Sequence, residues 1–476
     1  MYPRRLLPFL LLGIAVIGRG ATAGTRDVTK LYLDYCSGCH GPAMEGGKAG
    51  NLVDSKWQHG GDDASLLVSI QRGYPREGMP AFAQALSEAE TRAMITYIRE
   101  TATHWIDPPK GEESPLPTGV QHSEEADYRI EVVAEGLDVP WSFSFLPDDR
   151  ILVTERVGRL RVIVHGKLTD SPICNVPKVV VKDEAGLMCV VADPEFAENQ
   201  TVYLSFSDPG DDESSAMTKV IRAQLHDDRL ENIETIFALG RVQYQKSFVL
   251  FGGRIAVSGP YLFFSVGERG MEDAATGQAQ DLTKPVGKIH RVFRDGTIPP
   301  DNPFVGEADA WSSIWAYGVR NPQGLAIDRR NLDVWETEHG PRGGDELNRI
   351  ERGKNYGWPV ITSGMNYDGT PVSNKTEAPG MEQPVINWTP SIAVSQIEFY
   401  QGDKFPKWKD NLFIGSLAQQ KLIRVVVEGG KELRREEVFN GLGRIRDIKT
   451  GPDGYLYLAL ELIGKPGRIV RLVPAN

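Results

Sequence analysis

Histidine and cysteine are scarce in this chain, with eight and four copies among 476 residues. So few thiols exclude a disulfide-stapled scaffold. Long apolar runs are scarce too. The run from Leu6 to Ile17 is twelve residues, too short to span a bilayer. It reads as the core of a removable export signal over residues 1–23, with Arg4 and Arg5 before it and Ala21-Thr22-Ala23 as cleavage site. The mature chain is therefore expected in the periplasm or outside the cell, with no stable membrane span. Positive charge is in deficit, 53 Lys and Arg against 64 Asp and Glu, which argues against a nucleic-acid partner. What abounds is glycine (50) and proline (31), a composition of short strands and many turns.

Two textures divide the chain. Residues 25–106 are helical in pattern: Asp27 can cap a segment with Val28, Leu31 and Tyr35 on one face. Further on, Ser87 and Glu90 form a capping box, and Met94, Tyr97, Ile98 and Thr101 recur at helical spacing. Residues 107–126, rich in Pro, Gly and charge, read as a linker. From 127 to 476 a strand–turn–strand phrase returns six times, beginning at "WSFSFLPDDRILVTERVGRLRVI" and ending at "IRDIKTGPDGYLYLALELIGKPGRIVRLV". Six sheet-forming units predict a six-bladed β-propeller. A two-sheet sandwich would not require the same phrase six times. The expected fold is thus multidomain, a small all-α unit followed by an all-β propeller.

Cys36, Cys39 and His40 stand in C-x-x-C-H spacing. Two thiols for thioether bonds and an adjacent imidazole are what covalent haem c requires. Met79, in "EGMPAF", is the expected second axial ligand, since a thioether suits electron transfer. Met44 lies too close behind the attachment site to reach the opposite haem face. A zinc site would need two more ligands, and His59 is the nearby spare. With its closing helix, this segment resembles class I cytochrome c. Cys174 and Cys189 leave two readings open, a disulfide formed after export or two free thiols.

In the second region stand "YGVRNPQGLA", "EHGPRGGDELN", "NYGWPV" and "GRIRD". With the six-fold pattern, they resemble the soluble quinoprotein glucose/aldose sugar dehydrogenases over about residues 128–474. That resemblance implies pyrroloquinoline quinone (PQQ) held over calcium, and oxidation of a sugar C1 hydroxyl. Arg444 and Arg446 lie two apart in a strand-like run and so project to one face, suited to an anionic ligand. By resemblance, Arg320 and Asn321 contact the quinone, and Arg320 stabilises charge on the reduced oxygen. The carbonyls of Gly340 and Pro341 are implied ligands of the cofactor's calcium, and Glu346 and Tyr356 match a further calcium site.

Four positions depart from the family pattern. The family's general-base histidine is replaced by Leu250 before "FGGR", and leucine accepts no proton. Glu184 replaces a glutamine, Glu268 an aspartate, and Ala418 a lysine. Two readings follow. In one, Glu184 in a largely buried pocket takes over as base, and the enzyme oxidises a sugar or alcohol and passes electrons through its haem to an external acceptor, such as another cytochrome or a respiratory oxidase. In the other, the propeller binds a ligand or partner without catalysis beside an electron carrier. A calcium-dependent hydrolase of the lactonase sort is a further alternative.

Overall fold

The computed structural model describes residues 26–106, 114–211, 213–270 and 277–475. The expected export signal, and residues 107–113 of the expected linker, lie outside them.

Four helices make the N-terminal unit: α1 (Val28–Tyr35), α2 (Ser37–His40), α3 (Asp63–Arg72) and α4 (Glu88–Ile106). Asp27 caps α1 by accepting from the Thr29 amide at 2.8 Å. At the head of α4 the capping box forms in both directions, Glu90 N to Ser87 Oγ and Ser87 N to the Glu90 carboxylate. Val28, Leu31, Tyr32, Leu66, Ile70, Met94, Ile95 and Ile98 then bury one common core. Tyr35, expected on that face, is 43% exposed. It ends α1 and lies edge-on to Phe82, and Tyr32 fills the core instead.

Among the described residues the strands form six sheets, five of four strands and one of five. Their inner strands are Pro140–Phe145, Leu187–Ala192, Gly252–Ser258, Pro322–Asp328, Val394–Phe399 and Arg444–Thr450. Each contacts the next, and the sixth contacts the first, so the ring is closed. These strands are buried mostly on both faces, and polar side chains within them are hydrogen-bonded to an adjacent blade, as where Ser144 Oγ accepts from Ala192 N and Gln396 Oε1 from Leu325 N. The last sheet is closed by Asp127–Leu137, which pairs antiparallel with the C-terminal Lys465–Pro474. Early and late chain thus share one sheet, which removes two free edges. Between sheets, aromatic pairs fill the seams: Phe145 meets Tyr457 at 4.9 Å, and Trp335 meets Phe399 at 6.0 Å.

The described part of the expected linker lies along the propeller. Ser114 N donates to Gly441 O, and Gln121–His122 adds a short strand beside Asp127–Leu137. Cys174 is exposed, Cys189 is buried, and the two are not joined. No helix among the described residues is long and apolar enough to cross a membrane.

Candidate functional site

The first site lies at the end of α1. Cys36 is half-buried and Cys39 exposed. Burial, with the neighbouring Cys39, pushes the Cys36 thiol up to about 11. His40 Nδ1 lies 2.8 Å from Gly50 O. A carbonyl only accepts, so the proton sits on Nδ1 and Nε2 is left for a metal. Met79 exchanges backbone hydrogen bonds with Tyr74 and is half-buried against the helical core. Met44 is 1% exposed within that core. His59 stacks on Tyr74 at 3.6 Å and lies 2.9 Å from the Glu77 carboxylate. It is thus engaged away from the thiols, and the donor set fits haem c.

The second site lies at the N-terminal ends of the inner strands. Here the propeller encloses a cavity of about 240 Å³. Arg156, Glu184, Met188, His339, Arg444 and Arg446 are among its lining residues. The Arg pair does project to one side, as its spacing predicts, but the two are not free. Arg444 Nε donates to Glu461 Oε2 at 3.1 Å and Arg446 Nε at 2.5 Å. Burial pushes the Glu461 carboxyl up; Arg446 and Arg444 outweigh that and hold it below the usual carboxylate range.

Arg320 and Asn321 stand behind the cavity wall. Asn321 Oδ1 accepts from Gly252 N and Gln323 Nε2, both at 3.1 Å, and those two residues line the cavity. Arg320 Nη1 donates to His339 O at 3.1 Å and to Gly340 O at 3.0 Å. The carbonyl that the resemblance assigns to calcium therefore already faces a cation. Such oxygens suit a hard ion, but Arg320 would have to turn aside first. Nearby, Asn321 Nδ2, Arg320 Nε and Arg156 Nε are buried donors without an acceptor. An acceptor-rich anion such as a tricarboxylate quinone fits donors of this kind.

Glu346 and Tyr356 are engaged separately. The Tyr356 hydroxyl donates to Arg349 O and accepts from Glu351 N. Asn348 Nδ2 lies 3.1 Å from Glu346, 3.2 Å from Glu336 and 3.5 Å from Glu338. Burial pushes the Glu346 carboxyl up to about 7, and raises Glu336 and Glu338. Among the described residues, no three His, Cys, Asp or Glu side chains are placed to hold a metal ion.

At Leu250 the structure corrects one expectation. Glu184 is exposed at the cavity mouth rather than buried, because Asp183 and Glu184 sit in the loop leading to the strand Leu187–Ala192. Its carboxylate is nevertheless fixed, accepting from the amide of Leu250 itself at 2.8 Å. Leu250 is 5% exposed with φ of 55°, a left-handed conformation in which a leucine is uncommon and histidine is enriched. Glu268 is 1% exposed and donates its amide to Arg320 O. Ala418 is exposed.

Sequence reasoning missed two residues. Arg254 is 1% exposed, stacks on Trp141 at 4.1 Å and donates to Gln323 O and Arg446 O. It ties four blades together beneath the cavity, and its signal was a lone guanidinium inside an apolar strand. His339 lines the cavity, and its Nε2 lies 2.7 Å from Val394 O. Burial and the charge of Arg320 bring its pKa down to about 3, so the ring is neutral with its lone pair on Nδ1. In the sequence, the phrase "EHGP" points to a cofactor site only through its carbonyls.

Comparison with known proteins agrees with this architecture. Residues 137–471 match the family described as Glucose / Sorbosone dehydrogenase, and residues 23–98 match Cytochrome C oxidase, cbb3-type, subunit III. Aldose sugar dehydrogenase YliI of Escherichia coli is 41% identical over 74% of this chain and 94% of its own length. The PQQ-bound aldose sugar dehydrogenase of Streptomyces coelicolor is 28% identical over 73% of this chain and 98% of that one, with a TM-score of 0.59. The Rhodobacter capsulatus subunit CcoP is 38% identical to 16% of this chain, a match spanning 28% of CcoP.

Proposed function

The chain belongs to the glucose/sorbosone dehydrogenase family and carries a cytochrome c domain ahead of its propeller; from that premise we propose that it is an exported, PQQ-dependent dehydrogenase of an aldose or alcohol that passes electrons through haem c to an external acceptor. The observation that carries the reading is the cavity wall, where two guanidiniums converge and buried donors behind it lack acceptors. Bound there, PQQ would supply the two-electron oxidant. Arg444 and Arg446 would grip its carboxylates, Asn321 would offer Nδ2, and the carbonyls of Gly340 and Pro341 would hold calcium once Arg320 turned away. Cys36, Cys39, His40 and Met79 would hold the haem.

The substrate's hydroxyl proton needs an acceptor beside the cavity. Glu184 is the choice here, since its carboxylate is anchored on the backbone of Leu250, where the family's histidine would stand. Trp141, Met188, Phe251 and Leu417 give the same cavity apolar walls, which exclude water from the reacting carbon.

The test is turnover of aldoses and alcohols with an artificial dye, with and without PQQ and calcium. Oxidation that requires PQQ supports the reading, and a Glu184→Gln variant that loses at least a hundredfold in kcat identifies the base. Hydrolysis of lactones without PQQ would favour the hydrolase, and absence of any PQQ binding would favour the scaffold.

A further inference from the structure

One short loop runs from the propeller cavity to the cytochrome domain. At its start, His339 lines the cavity, and Gly340 is fixed by Arg320 and by its amide's bond to Asp345. Two residues on, Arg342 forms an ion pair with Glu100 of α4, both side chains about one-fifth exposed. Next to it, Gly343 has φ of 76°, and a Cβ there would lie 3.0 Å from Thr96 Cγ2. A side chain at 343 would both strain the backbone and push α4 away.

Residues 363–369 complete the contact. Arg342 and Met365 exchange two backbone hydrogen bonds, at 3.0 and 2.9 Å, so the two segments form one element. Met365 is a propeller residue, yet it is 0% exposed within the hydrophobic core of the helical domain, with Val28, Leu31, Met94 and Ile98. Thr96 Oγ1 lies 3.3 Å from Ser363 O, and Val28 N donates to Gly369 O at 3.1 Å. A polar ring around a buried apolar plug is the anatomy of a specific interface.

We propose that the cytochrome domain stays docked on this element, so that electrons pass within one molecule across the loop His339–Gly343 rather than by a tethered domain swinging to and fro. The proposal rests on the redox function proposed above. Oxidation of one C–H/O–H pair to a carbonyl releases two electrons and two protons. Haem held by Cys36, Cys39, His40 and Met79 would accept the electrons one at a time, Fe(III) to Fe(II), and each would pass on to an external one-electron acceptor protein. The protons go to water. Cys39, Glu77 and Gly78 are exposed, which leaves the haem pocket open to that acceptor while α1 and α4 face the propeller.

The experiment uses the full-length, haem-loaded protein and four variants: Arg342→Glu, Glu100→Arg, the two combined, and Met365→Asp. Small-angle scattering of the parent is expected to show one compact particle without PQQ, expanding in Met365→Asp. With PQQ, calcium and substrate, the rate of haem reduction in the parent is expected to be the same over a hundredfold range of protein concentration. Each single charge reversal is expected to slow it at least tenfold, the combined variant to recover it, and dye reduction by the propeller to hold steady throughout. A rate that grows in proportion to protein concentration, or reversals that match the parent, would overturn the docking. A parent that reduces neither dye nor haem would instead refute the redox function, and scattering would still decide whether the domain is docked.

Discussion

The guanidinium of Arg254 lies 3.3 Å from the carboxylate of Asp447, with both side chains at most 2% exposed. Asp447 also accepts from the Phe143 amide at 2.9 Å, so the pair joins inner strands of three blades. Breaking a buried pair leaves an uncompensated charge and costs about 3–5 kcal/mol. Arg254→Met should lower the urea midpoint accordingly, measured with haem loaded and without PQQ. A midpoint within error of the parent would mean that the pair is not holding the axis together.

Arg446 is the guanidinium nearest to a direct test of anion binding. A charge-assisted hydrogen bond contributes about 1.5–3 kcal/mol, and 1.4 kcal/mol is about tenfold in affinity. Arg446→Ala should therefore weaken PQQ binding roughly ten- to a hundredfold in a fluorescence titration, while the haem spectrum stays unchanged. Unaltered affinity would place the cofactor elsewhere.

Glu461 carries the acid-side prediction. Its carboxyl is held below the ordinary range in the folded protein by Arg446 and Arg444, against the opposing effect of burial. An unfolded glutamate titrates near about 4.3. The stabilisation from the pair is thus complete above that pH and is lost as pH falls towards the depressed folded value. The stability gap between parent and Glu461→Gln should be level from about pH 5 to 7 and shrink below about pH 4. A gap that widens in acid would contradict the pairing.

Leu250 occupies a backbone conformation that suits histidine better than leucine. In the Glu184→Gln background, Leu250→His should fold as well as the parent and restore kcat for aldose oxidation by about a hundredfold, in the range for a positioned base. The gain should show a pH profile governed by the new imidazole. No recovery, with PQQ bound, would mean that the proton leaves through another group, His339 being the one that lines the same cavity.

Much of this molecule was legible from its residues. The six strand–turn–strand phrases correspond to six sheets, because apolar runs broken by Pro, Asp and Gly turns leave few other ways to bury strands. The capping residues Asp27 and Ser87 were legible because a cap is a local bond. Arg444 and Arg446 were legible because a strand's two-residue period is rigid. Long-range partners were not. Nothing near Arg446 announces Glu461, fifteen residues away across a hairpin, and nothing near Glu100 announces Arg342. Glu184 was expected to be buried because its phrase resembles a pocket phrase, whereas exposure depends on how far a loop stands from the axis. Tyr35 failed for a similar reason, since helical periodicity says nothing about where a helix stops.

The most direct measurement is an anaerobic titration of the haem-loaded, PQQ-free protein with PQQ at several calcium levels, followed by substrate while the haem absorption bands are watched. The account predicts saturable PQQ binding at one equivalent, and haem reduction that begins only when substrate is added to the PQQ-loaded protein. Protein that takes up no PQQ at any calcium concentration, or haem that stays oxidised with PQQ bound and substrate consumed, would contradict it.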